Sequence, residues 1–320
     1  MEPQQTVRVD AYAEPEELEA AIPGLQIRAA PLSRGSLTAR IATWFLDGVV
    51  FQTGSCSPLA IEFSLASDRA VFQIPLLNRQ SLLLNGRLAA GHAVGLYGGG
   101  AELLRANHLP GTYGTLVVPM QTVDALLCPP AGSAMTRPGG HAMLTIPAAA
   151  WDRLAAVIGA TEGLTVGGDH ALFTDGARAG LRATLLEVAR RGLSYGRDAD
   201  TPRRAGTRAG WIRIVRGADA YLRAHPGRAI YTEELCARLN VSPAGLTEAF
   251  RQVIGTAPHR FLKLRRLAMV RAVLRQRQDT PALVKTVALD HGFWHLGQFS
   301  ADYRAMYGET PSETLALARA

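Results

Sequence analysis

The sequence predicts an α+β fold in which an N-terminal antiparallel β-barrel with accessory helices is followed by an all-helical C-terminal domain. Short apolar stretches separated by turn residues run from about Leu37 to Pro119, a pattern typical of short antiparallel strands. A helical spacing of apolar residues begins at Pro147, and one helical unit occurs twice near the end of the chain. The 320 residues, 48% of them hydrophobic, can supply a core for each of two domains.

The clearest single element of the strand-rich region is the segment from Leu82 to Leu88. Its centre is Asn85-Gly86, and this dipeptide adopts the positive φ values that a tight hairpin turn requires. Taken alone, the pattern fits either a barrel or a sandwich of two sheets.

Two helices are predicted after the strands, at about 147–159 and 170–195. Asp169 is a candidate N-cap for the second helix. The apolar side of that helix either forms a dimer interface or packs on the barrel, and the spacing fits both.

Residues 196–208 are rich in Gly, Pro and Arg and lack periodicity, which predicts a linker between domains at 1–195 and 209–320. The charge differs across this boundary. Residues 207–320 contain 17 Lys and Arg against 9 Asp and Glu, whereas the preceding residues contain 17 against 18. A basic domain joined to a nearly neutral one favours a polyanionic partner such as double-stranded DNA.

The C-terminal region contains one unit twice, since residues 235–258 match residues 287–311 with an offset of 52 and then 53 positions. Each unit has a helix, a turn around a residue able to take positive φ (Asn240 or Gly292), and a second helix. Two helix-turn-helix units are therefore predicted, at about 232–253 and 281–306.

Capping residues precede the predicted helices of these units. Thr232 can cap the first helix of the first unit, and Thr280 followed by Pro281 repeats that start in the second unit. Ser242 followed by Pro243 can cap the second helix of the first unit.

A single helix is predicted between the units, from Pro258 to about Arg275. At 1.5 Å per residue it is roughly 27 Å long, which suits two helices reading successive major grooves about 34 Å apart. Its basic side chains fit phosphate contacts or solvated charges better than base contacts. The predicted phosphate contacts are Lys263, Arg265, Arg266, Arg271 and Lys285.

Residues from about 211 to 315 resemble the DNA-binding domain of the AraC/XylS family of regulators. The residues that carry the resemblance are Ala288, Gly292, Phe293, Phe299, Tyr303, Arg304, Tyr307, Gly308, Thr310 and Pro311, with a weaker first copy at Ser242, Leu246, Phe250, Arg251 and Gly255. The N-terminal part is similar to the cupin-like effector-binding domain that many members carry.

The resemblance implies which side chains face DNA. They are Ser242, Ala244, Thr247, Glu248 and Arg251 in the first unit and His295, Leu296, Gln298, Ser300 and Arg304 in the second. Gln298 is suited to pair with adenine and Glu248 to accept from cytosine. Three places depart from the family pattern: Ala301 stands where Arg is usual, Gly297 where Ser is frequent, and Trp294-His295 where the turn is normally small and polar.

The function that this resemblance implies is sequence-specific regulation of transcription, with activation in response to a small-molecule effector. A homodimer, RNA polymerase as a partner, and a cytoplasmic location without a membrane span are expected with it, and the N-terminus lacks the features of a signal peptide. The candidate effector-binding residues are Trp44, Phe72, Gln73 and Tyr97.

Two alternatives remain for the N-terminal region. It could serve only for dimerisation or partner contacts, or it could be a cupin-like enzyme fused to a DNA-binding domain. A cupin metal site needs paired histidines on a strand, whereas His92, His108 and His141 stand alone. We therefore expect no metal, no cofactor and no catalytic residues. The three cysteines are widely spaced and predict neither a disulfide framework nor a zinc site.

Overall fold

The structure, a computed structural model, describes residues 6–19, 25–35, 37–77, 81–127, 129, 133, 135–168, 174–198, 202–276 and 283–318. Its strands are β1 (Val7–Tyr12), β2 (Leu25–Pro31), β3 (Ala39–Leu46), β4 (Val49–Cys56), β5 (Leu59–Leu65), β6 (Arg69–Pro75), β7 (Leu82–Leu84), β8 (Arg87–Leu88), β9 (Ala93–Tyr97), β10 (Glu102–Asn107), β11 (Gly111–Pro119), β12 (His141–Thr145) and β13 (Arg197–Asp198). Its helices are α1 (Pro15–Glu19), α2 (Met120–Thr122, continued by a π-helical turn at Val123–Leu127), α3 (Ala148–Gly167), α4 (Asp175–Tyr195), α5 (Pro202–Ala224), α6 (Thr232–Leu239), α7 (Pro243–Val253), α8 (Pro258–Gln276), α9 (Val284–Asp290), α10 (Leu296–Tyr307) and α11 (Pro311–Leu317).

The strands form two antiparallel sheets. The large sheet has the order β1-β3-β4-β11-β6-β9-β12-β13, and the small sheet has the order β2-β5-β10-β7-β8. Within the described residues neither sheet closes on itself, so the prediction of a barrel is corrected to two open sheets. The period of two that marks a half-buried strand is the same in barrels and sandwiches, and the pattern therefore fitted both.

The predicted hairpin at Asn85-Gly86 is confirmed. Leu84 pairs with Arg87 and Leu83 with Leu88 across the turn. The φ angles are 48° at Asn85 and 71° at Gly86, the left-handed values that the dipeptide favours.

The sheets and helices stack in four layers around separate apolar cores. One core lies between the two sheets and includes Ile61, Phe63 and Leu103 of the small sheet and Ile41 and Val71 of the large sheet. A second core joins the opposite face of the large sheet to the helices α3 and α4. A third joins the opposite face of the small sheet to α5, α6, α7 and the start of α8.

Both helices predicted after the strands exist, with different bounds. The first extends to Gly167, and the second begins at Asp175 after the N-cap Thr174, whose hydroxyl accepts from the Ala177 amide at 3.2 Å. The candidate cap Asp169 lies outside the described residues. The apolar side of α4, including Leu185, packs in the core on the large sheet, which is one of the two roles predicted for it.

The segment 196–208 is not an irregular linker. It contributes the short strand β13, which pairs with β12, and the helix α5 begins within it at Pro202. The composition hid this helix because Gly, Pro and Arg lower the apolar periodicity, although Pro is well tolerated in the first turn of a helix.

The outer face of the small sheet receives the C-terminal helices. Ala30, Ala60 and Ala106 lie on this face and share a core with Val215 of α5 and Phe250 of α7. Small side chains on a sheet allow helices to approach its backbone closely. In the described part of the chain, no helix combines the length and the apolar character that crossing a bilayer would demand.

Candidate nucleic-acid interface

Two helix-turn-helix units form the C-terminal region, α6 with α7 and α9 with α10. In each unit the chain turns at a left-handed residue, with φ of 53° at Asn240 and 76° at Gly292. The following amide, of Val241 or Phe293, donates to the carbonyl five residues earlier at 3.0 Å in both units. The sequence repeat is therefore also a repeat of backbone geometry.

Of the two helix N-caps predicted in the first unit, one is present in the structure. The Ser242 hydroxyl accepts from the Gly245 amide at 3.1 Å, which confirms it as the N-cap of α7. The prediction for Thr232 was wrong, because Thr232 is the first residue of α6 and Tyr231 occupies the cap position without a side-chain capping bond. Helix bounds shift by one residue easily where no polar side chain closes the first turn.

The second unit begins at Val284, and the predicted start at Thr280 and Pro281 lies outside the described residues. Its second helix begins at Leu296 after His295, whose side chain makes no capping bond. Histidine is not among the residues that cap helices well. The first amides of α10 are thus left without a side-chain acceptor from the cap position.

The inward sides of α7 and α10 carry matched apolar residues. Leu246 and Phe250 of α7 and Phe299 and Tyr303 of α10 are buried. The Tyr303 hydroxyl also lies 2.8 Å from the Thr314 hydroxyl on α11. These side chains hold each helix in place, so the opposite side of each helix is the one available to a partner.

The outer side of α7 holds the predicted contacts of the first unit. Ala244, Thr247 and Arg251 are exposed, and the Thr247 hydroxyl donates to the Pro243 carbonyl at 2.9 Å. Two guanidinium hydrogen bonds of 2.9 and 2.7 Å join Arg251 to Glu248. Hydrogen bonds from Arg251 and Gln252 lower the pKa of the Glu248 carboxyl below its ordinary value. Glu248 is thus an acceptor that already has donors, and a base would have to compete with them.

The outer side of α10 holds the predicted contacts of the second unit. His295, Gln298, Ser300 and Arg304 are exposed, and Leu296 is half-buried. The Trp294 side chain in the preceding turn is 60% exposed, which is unusual for so large an apolar group. This turn is one of the three places where the sequence departs from the family pattern.

Three of the predicted phosphate contacts remain at the surface. Lys263 pairs with Asp302 of α10 at 3.1 Å and is about half exposed. Arg266 is half-buried and donates to the Arg228 carbonyl at 3.3 Å, and burial lowers the pKa of its guanidinium. Lys285 on α9 is exposed. Lys285 is therefore the cation most accessible to a phosphate among the three.

Arg265 is not placed to contact a phosphate, and that prediction is corrected. Its side chain is buried, with bonds of 2.8 and 3.2 Å to the Asp219 carboxylate and of 2.7 Å to the Ala29 carbonyl. Burial alone would raise the pKa of Asp219, but the charges and hydrogen bonds of Arg265 and Arg223 lower it below its ordinary value. Arg265 thus fixes α8 to α5 and to the small sheet.

Arg271 is corrected in the same way. Its guanidinium donates to both oxygens of Glu14 at 2.8 and 2.7 Å and to Glu309 at 2.6 Å. The same guanidinium lies over the ring of Tyr307. Arg275 adds a bond of 2.7 Å to Glu14. Glu14 lies 257 residues before Arg271, so no local pattern could have revealed the pair.

The N-terminal sheets contact the carboxyl end of α7 and leave its outer side exposed. His108 lies with its Nε2 2.6 Å from the Ile254 carbonyl, just past that end. His92 stacks on Trp151 instead. His108 was noted in the sequence only as an isolated histidine, and its partner is 146 residues away. Within the described ranges, no three His, Cys, Asp or Glu side chains gather as metal ligands would.

The four candidate effector residues do not form one site. Trp44 and Phe72 belong to the core under α3 and α4, whereas Tyr97 belongs to the core between the sheets. Gln73 faces a cavity between the sheets and donates to the Gly114 carbonyl at 3.4 Å. Burial raises the pKa of the Tyr97 hydroxyl. Neighbouring residues of a strand face opposite sides, so Phe72 and Gln73 cannot line the same space.

Comparison with known proteins agrees with the helix-turn-helix geometry. A family model described as a helix-turn-helix domain matches residues 235–316. The XylDLEGF operon transcriptional activator 2 of Pseudomonas putida is 40% identical over 90 residues, which are 28% of this chain and 57% of that protein. The XylDLEGF operon transcriptional activator of the same organism is 38% identical over 88 residues, which are 28% of this chain and 27% of that protein.

A solved structure of a probable AraC family transcriptional regulator from Rhodopseudomonas palustris is 40% identical and covers 34% of this chain and 99% of its own, with a TM-score of 0.32. The matched segment thus spans 57% of the first curated relative and 27% of the second.

Proposed function

Because the chain belongs to the AraC/XylS family of transcriptional regulators, we propose that it activates transcription by binding DNA through both helix-turn-helix units. The observation that supports this most directly is the repeated geometry at Asn240 and Gly292 on either side of α8. The 19 residues of α8 make a rigid spacer about 28 Å long. A spacer of that length suits two reading helices that enter successive major grooves on one side of the duplex.

The proposed contacts divide into those that read bases and those that position the protein. Gln298 would pair with an adenine, and Ala244 and Thr247 would pack against thymine methyl groups. Lys285 and Arg304 would contact phosphates, which orient the protein without reading sequence. Because Glu248 and Arg251 are bonded to each other, this pair would contribute less to base recognition than its charges suggest.

Selection from a random duplex pool by the purified full chain, followed by binding measurements on the selected sequence, tests this proposal. We expect Gln298→Ala to relax preference at one base pair and to weaken binding by about 1–3 kcal/mol. We expect Lys285→Ala to weaken all sequences alike and to reduce the salt slope by about one. Arg191→Ala on α4 is the matched control and should change neither quantity. Selection of no common sequence would refute the proposal.

The proposal extends to a small-molecule effector bound by the N-terminal sheets, and to a homodimer that contacts RNA polymerase. Sedimentation of the chain with and without the selected duplex measures the stoichiometry. Transcription from a template carrying that duplex upstream of a promoter then distinguishes activation from repression.

A further inference from the structure

A small cavity of about 40 Å³ lies between the two sheets. Its walls are largely apolar and include Leu18 of α1 and Ile41, Ile61 and Phe63 of the strands. Arg105 of β10 also lines it, together with the polar residues Gln52, Gln73, Tyr113 and Thr115.

The direction of the Arg105 side chain follows from the strand alternation. Its neighbours Leu104 and Ala106 belong to the core under the C-terminal helices. Arg105 must therefore face the large sheet, where it is 4% exposed. An arginine at such a position is rare, because interior positions of a sheet normally carry apolar side chains.

Arg105 has few partners there, and none of those described is a carboxylate. One Nη atom lies 3.1 Å from the Cys56 Sγ, and the guanidinium carbon lies 4.4 Å from the centre of the Tyr113 ring. The Nε–H is buried without a hydrogen-bond partner. None of the ion pairs among the described residues includes Arg105.

The other two arginines that are buried among the described residues provide an internal comparison. Arg265 is paired with Asp219, and Arg271 is paired with Glu14 and Glu309. Each of them thus has a carboxylate of the chain within 3 Å. A guanidinium cannot lose its proton in a protein, so an unpaired one in the interior carries a desolvation penalty of several kcal/mol.

The remaining polar groups of the cavity favour an acceptor. Burial raises the pKa of the Tyr113 phenol to about 12, so that Tyr113 keeps its proton and remains a donor. Gln73 donates to the Gly114 carbonyl at 3.4 Å, a long bond that leaves its amide available to a stronger acceptor. Three donor groups, on Arg105, Tyr113 and Gln73, thus line a space whose other walls are apolar apart from Gln52 and Thr115.

We propose that a small organic monocarboxylate binds in this cavity, with its carboxylate paired to Arg105 and its hydrocarbon part against Leu18, Ile61 and Phe63. The apolar walls favour an organic carboxylate over an inorganic anion. The space is that of about three water molecules, which suits acids of two to four carbons, and longer acids would have to displace the Leu18 side chain. To call this ligand an effector rests on the proposed regulatory function, whereas the binding site itself is independent of that function.

Calorimetric titration of the full chain with acetate, propionate, butyrate and hexanoate at constant ionic strength tests the site. The matched carboxamides and sodium sulfate serve as probes without a carboxylate. We expect one of the short acids to bind at least tenfold more tightly than its amide and than sulfate. Equal binding of acid and amide, preference for sulfate, or no binding by any acid would overturn the proposal.

Variants of Arg105 separate binding from folding. Arg105→Met should lower carboxylate affinity by about 10- to 100-fold, the effect expected for a lost charged hydrogen-bond pair. It should leave the melting temperature of the ligand-free chain unchanged or higher, because it removes an unpaired charge, whereas a purely structural arginine would lower it. Arg105→Lys should retain some preference for the acid over the amide. Arg69→Gln at the surface is the control, and equal carboxylate affinity of Arg105→Met and this control would contradict the site.

If Arg105→Met fails to fold, Tyr113→Phe provides the second measurement. It removes one donor and should lower carboxylate affinity by about 5- to 10-fold without altering amide affinity. Measuring DNA binding in the same samples distinguishes the two proposals. Sequence-specific DNA binding without any carboxylate binding would refute the site and leave the proposed function standing, and the reverse result would do the opposite.

Discussion

Replacing Glu14 by glutamine should destabilise the chain far more than an equivalent change at the surface. The Glu14 carboxylate accepts bonds of 2.8 and 2.7 Å from Arg271 and one of 2.7 Å from Arg275, and the side chains of Glu14 and Arg271 are 5% and 7% exposed. Removing one partner of a buried ion pair costs about 3–5 kcal/mol. Because Arg271 keeps Glu309 at 2.6 Å, we expect Glu14→Gln to fall at the lower end, about 3 kcal/mol.

Urea unfolding followed by tryptophan fluorescence measures this effect. Trp44 and Trp151 report on the large sheet and its helices, and Trp211 and Trp294 on the C-terminal region. With a slope of about 3 kcal/mol/M, a loss of 3 kcal/mol lowers the midpoint by about 1 M. The control Asp68→Asn removes a carboxylate that is 71% exposed and 3.4 Å from Arg69, and should change stability by less than about 0.5 kcal/mol. Equal small losses in both variants would refute the argument that burial makes the Glu14 pair important.

Three further predictions concern acid stability, a turn and a cap. The pKa of Asp219 is lowered in the folded chain, so the stability that this carboxylate contributes is complete above the unfolded pKa of about 4 and is lost as the pH falls through the folded pKa. Asp219→Asn should therefore flatten the fall of the urea midpoint below about pH 4. Parallel pH profiles of the variant and the unmodified chain would contradict this. Gly292→Ala should lower the free energy of unfolding by about 1–2 kcal/mol in thermal unfolding, because φ is 76° and the new Cβ would lie 3.0 Å from a backbone oxygen. The control Gly297→Ala, with open space around the new Cβ, should not lower it. Thr310→Ala should lower the free energy of unfolding by about 1 kcal/mol, because the Thr310 hydroxyl accepts from the Glu313 amide at 3.2 Å in a capping box. An unchanged melting temperature would show that the capping box does not stabilise α11.

Local features of the fold could be predicted from the sequence, because short-range chemistry decides them. Asn85-Gly86 forms the hairpin turn, Ser242 caps α7, and Asn240 and Gly292 take left-handed conformations. In each case the residue type fixes a backbone conformation within four positions. The internal repeat then extended these local predictions to a whole region.

Long-range pairings could not be predicted in the same way. The carboxylate partner of Arg271 is Glu14, which immediately precedes α1, a helix of five residues with no periodicity to detect. The same limit applies to Phe72 and Gln73, because the direction of each side chain depends on the register of β6 against β9 and β11. Whether a basic residue faces solvent or a buried acid is decided by such pairings, and charge counts alone misassigned Arg265.

The second helices of the two helix-turn-helix units are connected to the sheets in different ways. The first, α7, shares one apolar core with the small sheet, whereas the second, α10, lies in a separate core with α9, α11 and the end of α8. The helices of this second core meet the N-terminal part through polar contacts such as those of Glu14 with Arg271 of α8 and of the Gly35 amide with the Met306 carbonyl of α10. A displacement of the small sheet is therefore transmitted to α7 by direct packing, while α10 can open as its own cooperative unit. Amide exchange should register this as slow protection in α7 that follows the sheets and an independent, faster rate in α10.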